Sequence, residues 1–217
     1  MSSANVLAAG WNGIEIDMSF LGSGFLPEII NAYGGLRSSM RKQLDKNPGE
    51  EGLLALLVFG CFVIFLSFLP RLFATDLSQS PDQSIAAGII MWFFVVMFFL
   101  PLLMYGIAWA SHFISKAFGA TSGNKNARHA LFWGLAVLSP ALITKAMLSS
   151  VFIQIGGDLG QFVLNALNVV LALVILRIWG AMLAESKGFR SEWRVSGVIF
   201  VVFAGISLII NLGAQWP

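Results

Sequence analysis

The sequence predicts an all-α integral membrane protein: five transmembrane helices preceded by a cytoplasmic amphipathic N-terminal helix. Three observations carry that prediction. First, the chain of 217 residues is 57% hydrophobic and only 11% charged, with a mean hydropathy of +0.81. A soluble domain is usually ~25% charged, so this chain has too little polar material to coat a water-facing surface. Second, Ser84 to Ser115 runs for 32 residues without an acid, a lysine or an arginine. As a helix it would be ~48 Å long, against ~30 Å for a hydrocarbon core. Tilt, a kink at Pro101, or a cytoplasmic extension through Ala108–Phe118 must absorb the excess. Third, the apolar segments are continuous runs and not short alternating ones, which excludes a β-barrel.

Residues 1–51 read as a cytoplasmic N-terminal segment. Met1 to Pro27 is irregular, with a strand-like or interfacial piece at Gly13–Phe20. Glu15 and Asp17 precede the first cation, Arg37, so a cleaved signal peptide is not expected. Over residues 27–46, Pro27 suits a first helical position and Glu28 the positive end of the dipole. Ile29, Tyr33, Leu36, Met40 and Leu44 make one apolar face, flanked by Arg37, Arg41, Lys42 and Lys46. That is an interfacial helix, weakened by Gly34 and Gly35. Asn47-Pro48-Gly49 then breaks the chain.

Residues 52–217 read as the membrane bundle, with spans at about 52–69, 85–115, 129–155, 159–184 and 195–212. Pro70 ends the first, and Pro101 and Pro140 kink the second and third. Gly106 with Ala110, and Gly180 with Ala184, offer small-residue contacts between helices. Orientation follows from the connecting segments. Arg37, Arg41, Lys42 and Lys46, then Lys116, Lys125 and Arg128, then Lys187, Arg190 and Arg194 all fall on one side, against Arg71 alone on the other. The N-terminus is therefore expected in the cytoplasm and the C-terminus on the far side.

Charges inside spans are costly and mark candidate sites. Lys145 in the third span shares a predicted depth with Asn165 and Asn168 in the fourth. The three could form a polar intramembrane site for a lipid headgroup or ion. The plainer reading is a snorkelling lysine and asparagines bonding between helices. Arg177 reads as a cytoplasmic-side anchor, with His112 and Ser111 of the second span within its predicted reach.

No catalytic group, metal site or cofactor is expected. Only His112, His129 and Cys61 accompany sparse carboxylates, too few for a ligand set, and no mid-span Asp or Glu offers a proton relay. Gly119 to Lys125 lacks the spacing of a phosphate loop and reads as a turn. Cys61, the single cysteine, reads as a packing residue. A net charge of +2 gives no nucleic-acid footprint.

The runs LPLLMYGIAWASHFISKAFG (residues 100–119) and ARHALFWGLAVLSPALI (residues 127–143) carry a further signal. They place Leu-Pro, Tyr-Gly and a histidine along the second span, and a mid-span proline in the third. With five spans and a cytoplasmic N-terminal segment, this resembles the Yip-one domain family (Ypt-interacting proteins), in its bacterial branch. The resemblance implies a non-enzymatic five-helix protein of the bacterial cytoplasmic (inner) membrane. Eukaryotic relatives associate with Rab-type GTPases and with one another in vesicle traffic and membrane shaping. Their Asp-Leu-Tyr-Gly-Pro motif is absent here; only Asn31-Ala-Tyr33-Gly34 stands before the first span. That departure argues against GTPase binding, and no family binding residue transfers.

The expected function is an interaction, organising or accessory subunit, whose partners are membrane lipids and other membrane proteins or copies of itself. The alternative is a small transporter, channel or lipid-binding protein using Lys145, Asn165 and Asn168.

Overall fold

The computed structural model describes residues 24–76, 85–117, 119–120 and 123–201, and every regular element among them is helical. In chain order these are α1 (Phe25–Ala32), α2 (Leu36–Lys46), α3 (Glu50–Asp76), α4 (Ile85–Phe94), a π turn (Val95–Phe99), α5 (Leu100–Ala117), α6 (Asn124–Ile155) and α7 (Gly157–Lys187). Residues 192–201 form a last helix, α8. Four segments are long and apolar enough to cross a membrane: Glu50–Pro70, Ala86–Ala117, Asn124–Ile155 and Gly157–Lys187. The fifth expected span begins within α8, but residues 202–212 lie outside the described residues, as does the piece expected at Gly13–Phe20.

The prolines act differently from one another. α3 does not stop at Leu69; it continues through Pro70 to Asp76. Proline forfeits one backbone bond and crowds the turn before it, but the rest of the ladder remains available. At Pro101 the chain relieves that crowding by widening. Val95–Phe99 is a π turn in which the Leu100 N–H bonds to the Val95 carbonyl, one residue further back than in an α-helix. The helix therefore runs unbroken from Ile85 to Ala117.

The single helix expected over 27–46 is two. α1 ends at Ala32 and α2 starts at Leu36, with the break at Tyr33-Gly34-Gly35, where two glycines weaken helix most. The Tyr33, Gly34 and Gly35 amides bond back to the carbonyls of Ile30, Asn31 and Ala32 at 3.1–3.2 Å. The turn thus satisfies its own backbone donors. Of the expected apolar face, Ile29 and Met40 are fully buried, and Leu36 and Leu44 pack against the core.

The core lies in one half of the bundle. Every residue of α6 from His129 to Ser139 is buried, whereas from Pro140 onward α6 is half-buried or exposed except at Ala146. α3, α5 and α7 pack on this segment, and α1–α2 cover the flank they leave. Small residues set the approach. A Cβ on Gly60 of α3 would collide with the Leu135 side chain, and one on Gly180 of α7 with Ser196 of α8. Gly180 is thus a helix contact as its spacing suggested, while Gly106 meets nothing within 4 Å.

The close approach at Gly60 gives a direct test. Gly60→Leu should overpack the α3–α6 contact and cost about 1–3 kcal/mol, read as a lower Tm in detergent. Adding Leu135→Ala should restore part of the loss. Additive effects of the two changes would contradict the contact.

Candidate functional site

The chemistry-bearing side chains fall into two groups. One is a set of ion pairs at the end of the bundle that holds the N-termini of α3 and α6 and the C-terminus of α7; we call it the basic end. The other is a pair of grooves along the α6–α7 flank, where α1–α2 make their turn.

At the basic end, Glu185 of α7 is the hub. Arg37 Nε and Arg41 Nε of α2 each donate to its carboxylate at 2.8 Å. Gly188, with φ of 75°, turns the chain off α7 in the manner of a glycine C-cap. The turn presents the Phe189 and Arg190 carbonyls, which accept from Arg37 at 3.1 Å. One arginine fork thus ties α2 to both the end of α7 and the loop beyond it. Arg128 of α6 makes a two-pronged bond to Glu50 of α3, both at 2.8 Å, and Lys125 donates to Asn47 at 2.9 Å. Glu28 accepts from Lys46 at 2.7 Å and from Gln43 at 2.9 Å, joining α1 to α2.

His112 and Arg177 are not partners. Lys187, itself buried, approaches His112 Nδ1 at 3.0 Å and donates to the Gly123 carbonyl at 2.9 Å. Arg177 instead pairs with Glu192 at 2.7 Å and lies over the Trp193 ring at 5.2 Å. His112 stands at Lys187, ten residues beyond Arg177 on α7 and so about 15 Å away along the helix, while the turn at Gly188 brings Glu192 of α8 to Arg177.

The grooves share Tyr33, Val170 and Val174. One, of about 480 Å³, is bounded by Gly34, Gly35, Leu36, Leu173 and Arg177. The other, of about 370 Å³, is bounded by Pro140, Thr144, Lys145, Leu148 and Leu167. Lys145 is half-buried here, but Asn165 and Asn168 are exposed and line neither groove. Asn165 accepts a long, 3.4 Å bond from Gln161 on its own helix. The expected triad is therefore not assembled: Lys145 stands with Tyr33 and Thr144 instead.

Tyr33 was not singled out as a site residue by the sequence, which offers only a tyrosine before two glycines. Its hydroxyl donates to the Val137 carbonyl at 2.8 Å. Val137 lies in the turn before Pro140, where the proline ring disturbs the helix ladder, and a side-chain donor there suits the weakened turn. Nearby, Trp133 Nε1 donates to Ser39 Oγ at 3.1 Å, and Phe25 meets the Trp133 ring edge-on at 6.0 Å.

Among the described residues, no group of three His, Cys, Asp or Glu side chains is placed to hold a metal. No family model, curated protein or solved structure matches the chain.

Two substitutions test this geometry. Glu185→Gln leaves two arginines without their carboxylate. The pair is half-exposed on the arginine side, so a loss of about 1–2 kcal/mol is expected, between surface and buried pairs. Amide exchange in α2 should quicken, and unchanged exchange would contradict the clamp. Tyr33→Phe should cost about 1 kcal/mol, measured by thermal unfolding in detergent.

Proposed function

We propose that this chain is a non-catalytic multi-pass membrane protein of the Yip-one type, acting as an interaction or organising subunit of a bacterial cytoplasmic membrane. In this reading it has five spans, a cytoplasmic N-terminus and a periplasmic C-terminus. The observation that carries it is the way α4–α5 sits on the bundle. As open as α7 is before Arg177, this longest charge-free stretch has few fully buried residues, Val96, Ala108 and Ser115. It turns Phe94, Phe98, Phe99, Leu102 and Leu103 outward. Such a face needs lipid, a second copy or another membrane protein beside it. The ionic groups support the same reading. Arg37, Arg41, Glu185, Arg128 and Glu50 tie helices to one another; they are not gathered around a cavity where chemistry could occur.

A second reading, a lipid-binding or transport protein, draws on one observation: Lys145 lines an apolar groove in mid-bundle with Thr144 and Tyr33. A cation in such a place attracts an anion.

Crosslinking in native membranes, followed by mass spectrometry, separates the two. The organising reading expects crosslinks from α4–α5 to a protein partner or a second copy, and a complex that survives mild detergent. A strictly monomeric, partnerless protein sinks it. For the second reading, Lys145→Met should abolish binding of an anionic lipid in native mass spectra, and full retention counts against it.

A further inference from the structure

The helix pair α1–α2 offers more than a cover for α6. Its register is set by three bonds along α6. Asn47, at the base of the pair, meets Lys125; Ser39 meets Trp133; Tyr33, at the turn, meets Val137. As the number on the pair falls, the number on α6 rises, so α2 runs antiparallel to α6. Val137 lies nine residues beyond Arg128, which is about 14 Å along a helix. Half of a hydrocarbon core is ~15 Å. If the Arg128–Glu50 pair marks the membrane boundary, the turn at Tyr33-Gly34-Gly35 stands near the middle of the bilayer.

The surface of the pair fits that depth. α1 is apolar on two sides. Phe25, Ile29 and Ala32 face the core, while Leu26 (64% exposed) and Ile30 (67%) face away from it. At the same level α3 turns Leu54, Val58 and Phe62 outward, so the face of α1 extends the apolar belt of a span. The polar groups sit where a half-span requires. Glu28, Gln43 and Lys46 pair at the base. Arg37 and Arg41 reach Glu185, next to the end of α7, as snorkelling cations do. The turn has its Tyr33, Gly34 and Gly35 amides bonded internally, and Ser38 Oγ donates to the Gly35 carbonyl at 2.8 Å. Irregular backbone at such depth is tolerated where it packs on protein or lines a cavity, and Tyr33, Gly34 and Gly35 line the groove against Val174 and Arg177 of α7. Asn31 is the one exposed amide side chain of α1.

We propose that α1–α2 is a re-entrant hairpin inserted into one leaflet, with Leu26 and Ile30 in contact with lipid acyl chains. This rests on the membrane reading above and moves the N-terminal helices from the membrane surface into it. Among the described residues, the hairpin adds two helices to the leaflet at the basic end.

Site-directed spin labelling of the full chain in phosphatidylcholine–phosphatidylglycerol vesicles tests the inference. Labels go at Leu26→Cys and Ile30→Cys, with Phe62→Cys as the span reference and Asp45→Cys as the water reference, all in a Cys61→Ala background. Positions 26 and 30 should follow position 62: more relaxation by oxygen than by a water-soluble nickel chelate, with the order reversed at position 45. Positions 26 and 30 following position 45 would place the hairpin in water and overturn the proposal. Shielding from both reagents would overturn it in favour of a protein partner or a second copy. Nickel access at position 62 as well would show that the membrane reading itself had failed, and the inference with it.

Discussion

The fold depends on enclosing α6 between His129 and Ser139. A helix buried on every side must meet close-packed neighbours all round, because each unfilled gap forfeits contact energy. The segment meets that demand with small residues where helices approach and large ones between them. Gly60 of α3 lets Leu135 approach so closely that a Cβ there would collide with it. Phe132 and Trp133 fill the spaces between helices and are both fully buried. Three long helices cannot enclose a fourth completely, and α1–α2 supply the remaining wall through Phe25, Ile29 and Met40.

The half of the bundle beyond Pro140 is built differently. There α6 and α7 are half-buried or exposed at nearly every residue, and their outward residues include Ile143, Met147, Val151, Phe162, Val169 and Leu173. In lipid such surface carries no hydrophobic penalty, so it exerts little pull toward a tighter core. The bundle therefore has one closely packed half, clamped by ion pairs at its end, and one open half. The grooves beside Tyr33 lie where the two halves meet. They exist because the hairpin stops at Val137 while α6 and α7 continue.

This division bears on function. The clamp at Glu185 joins α2, the end of α7 and the following loop, so a partner that pulled on any one of them would be felt by the other two. The long α4–α5 rod stays outside that clamp. It meets the core along one face only: Val96 and Ala108 are buried, and Trp92, Met104 and Tyr105 are among the half-buried residues packed beside them. The opposite face, with Phe94, Phe98, Phe99, Leu102 and Leu103 exposed, presents an apolar edge to whatever lies beside it in the membrane.

Four membrane-length helices were legible in the sequence, because lipid demands unbroken apolar runs and nothing else in a chain this poor in charge imitates them. The break at Gly34-Gly35 was legible as a weakness, though not as a turn. What the sequence could not supply was the direction in which each side chain points around its helix. α6 and α7 are apolar on nearly every side, so no amphipathic stripe marks an inner face. Depth alone placed Lys145 beside Asn165 and Asn168, and rotation about α7 turned both asparagines outward. In the same way Arg177 was expected near His112, but His112 stands at Lys187, nearly three turns further along α7, and Arg177 meets Glu192. Composition determines that these helices belong in a membrane. Which groups meet is decided by packing around α6 and α7, because close contact at Gly60 and Gly180 fixes helix rotation where hydropathy is indifferent to it.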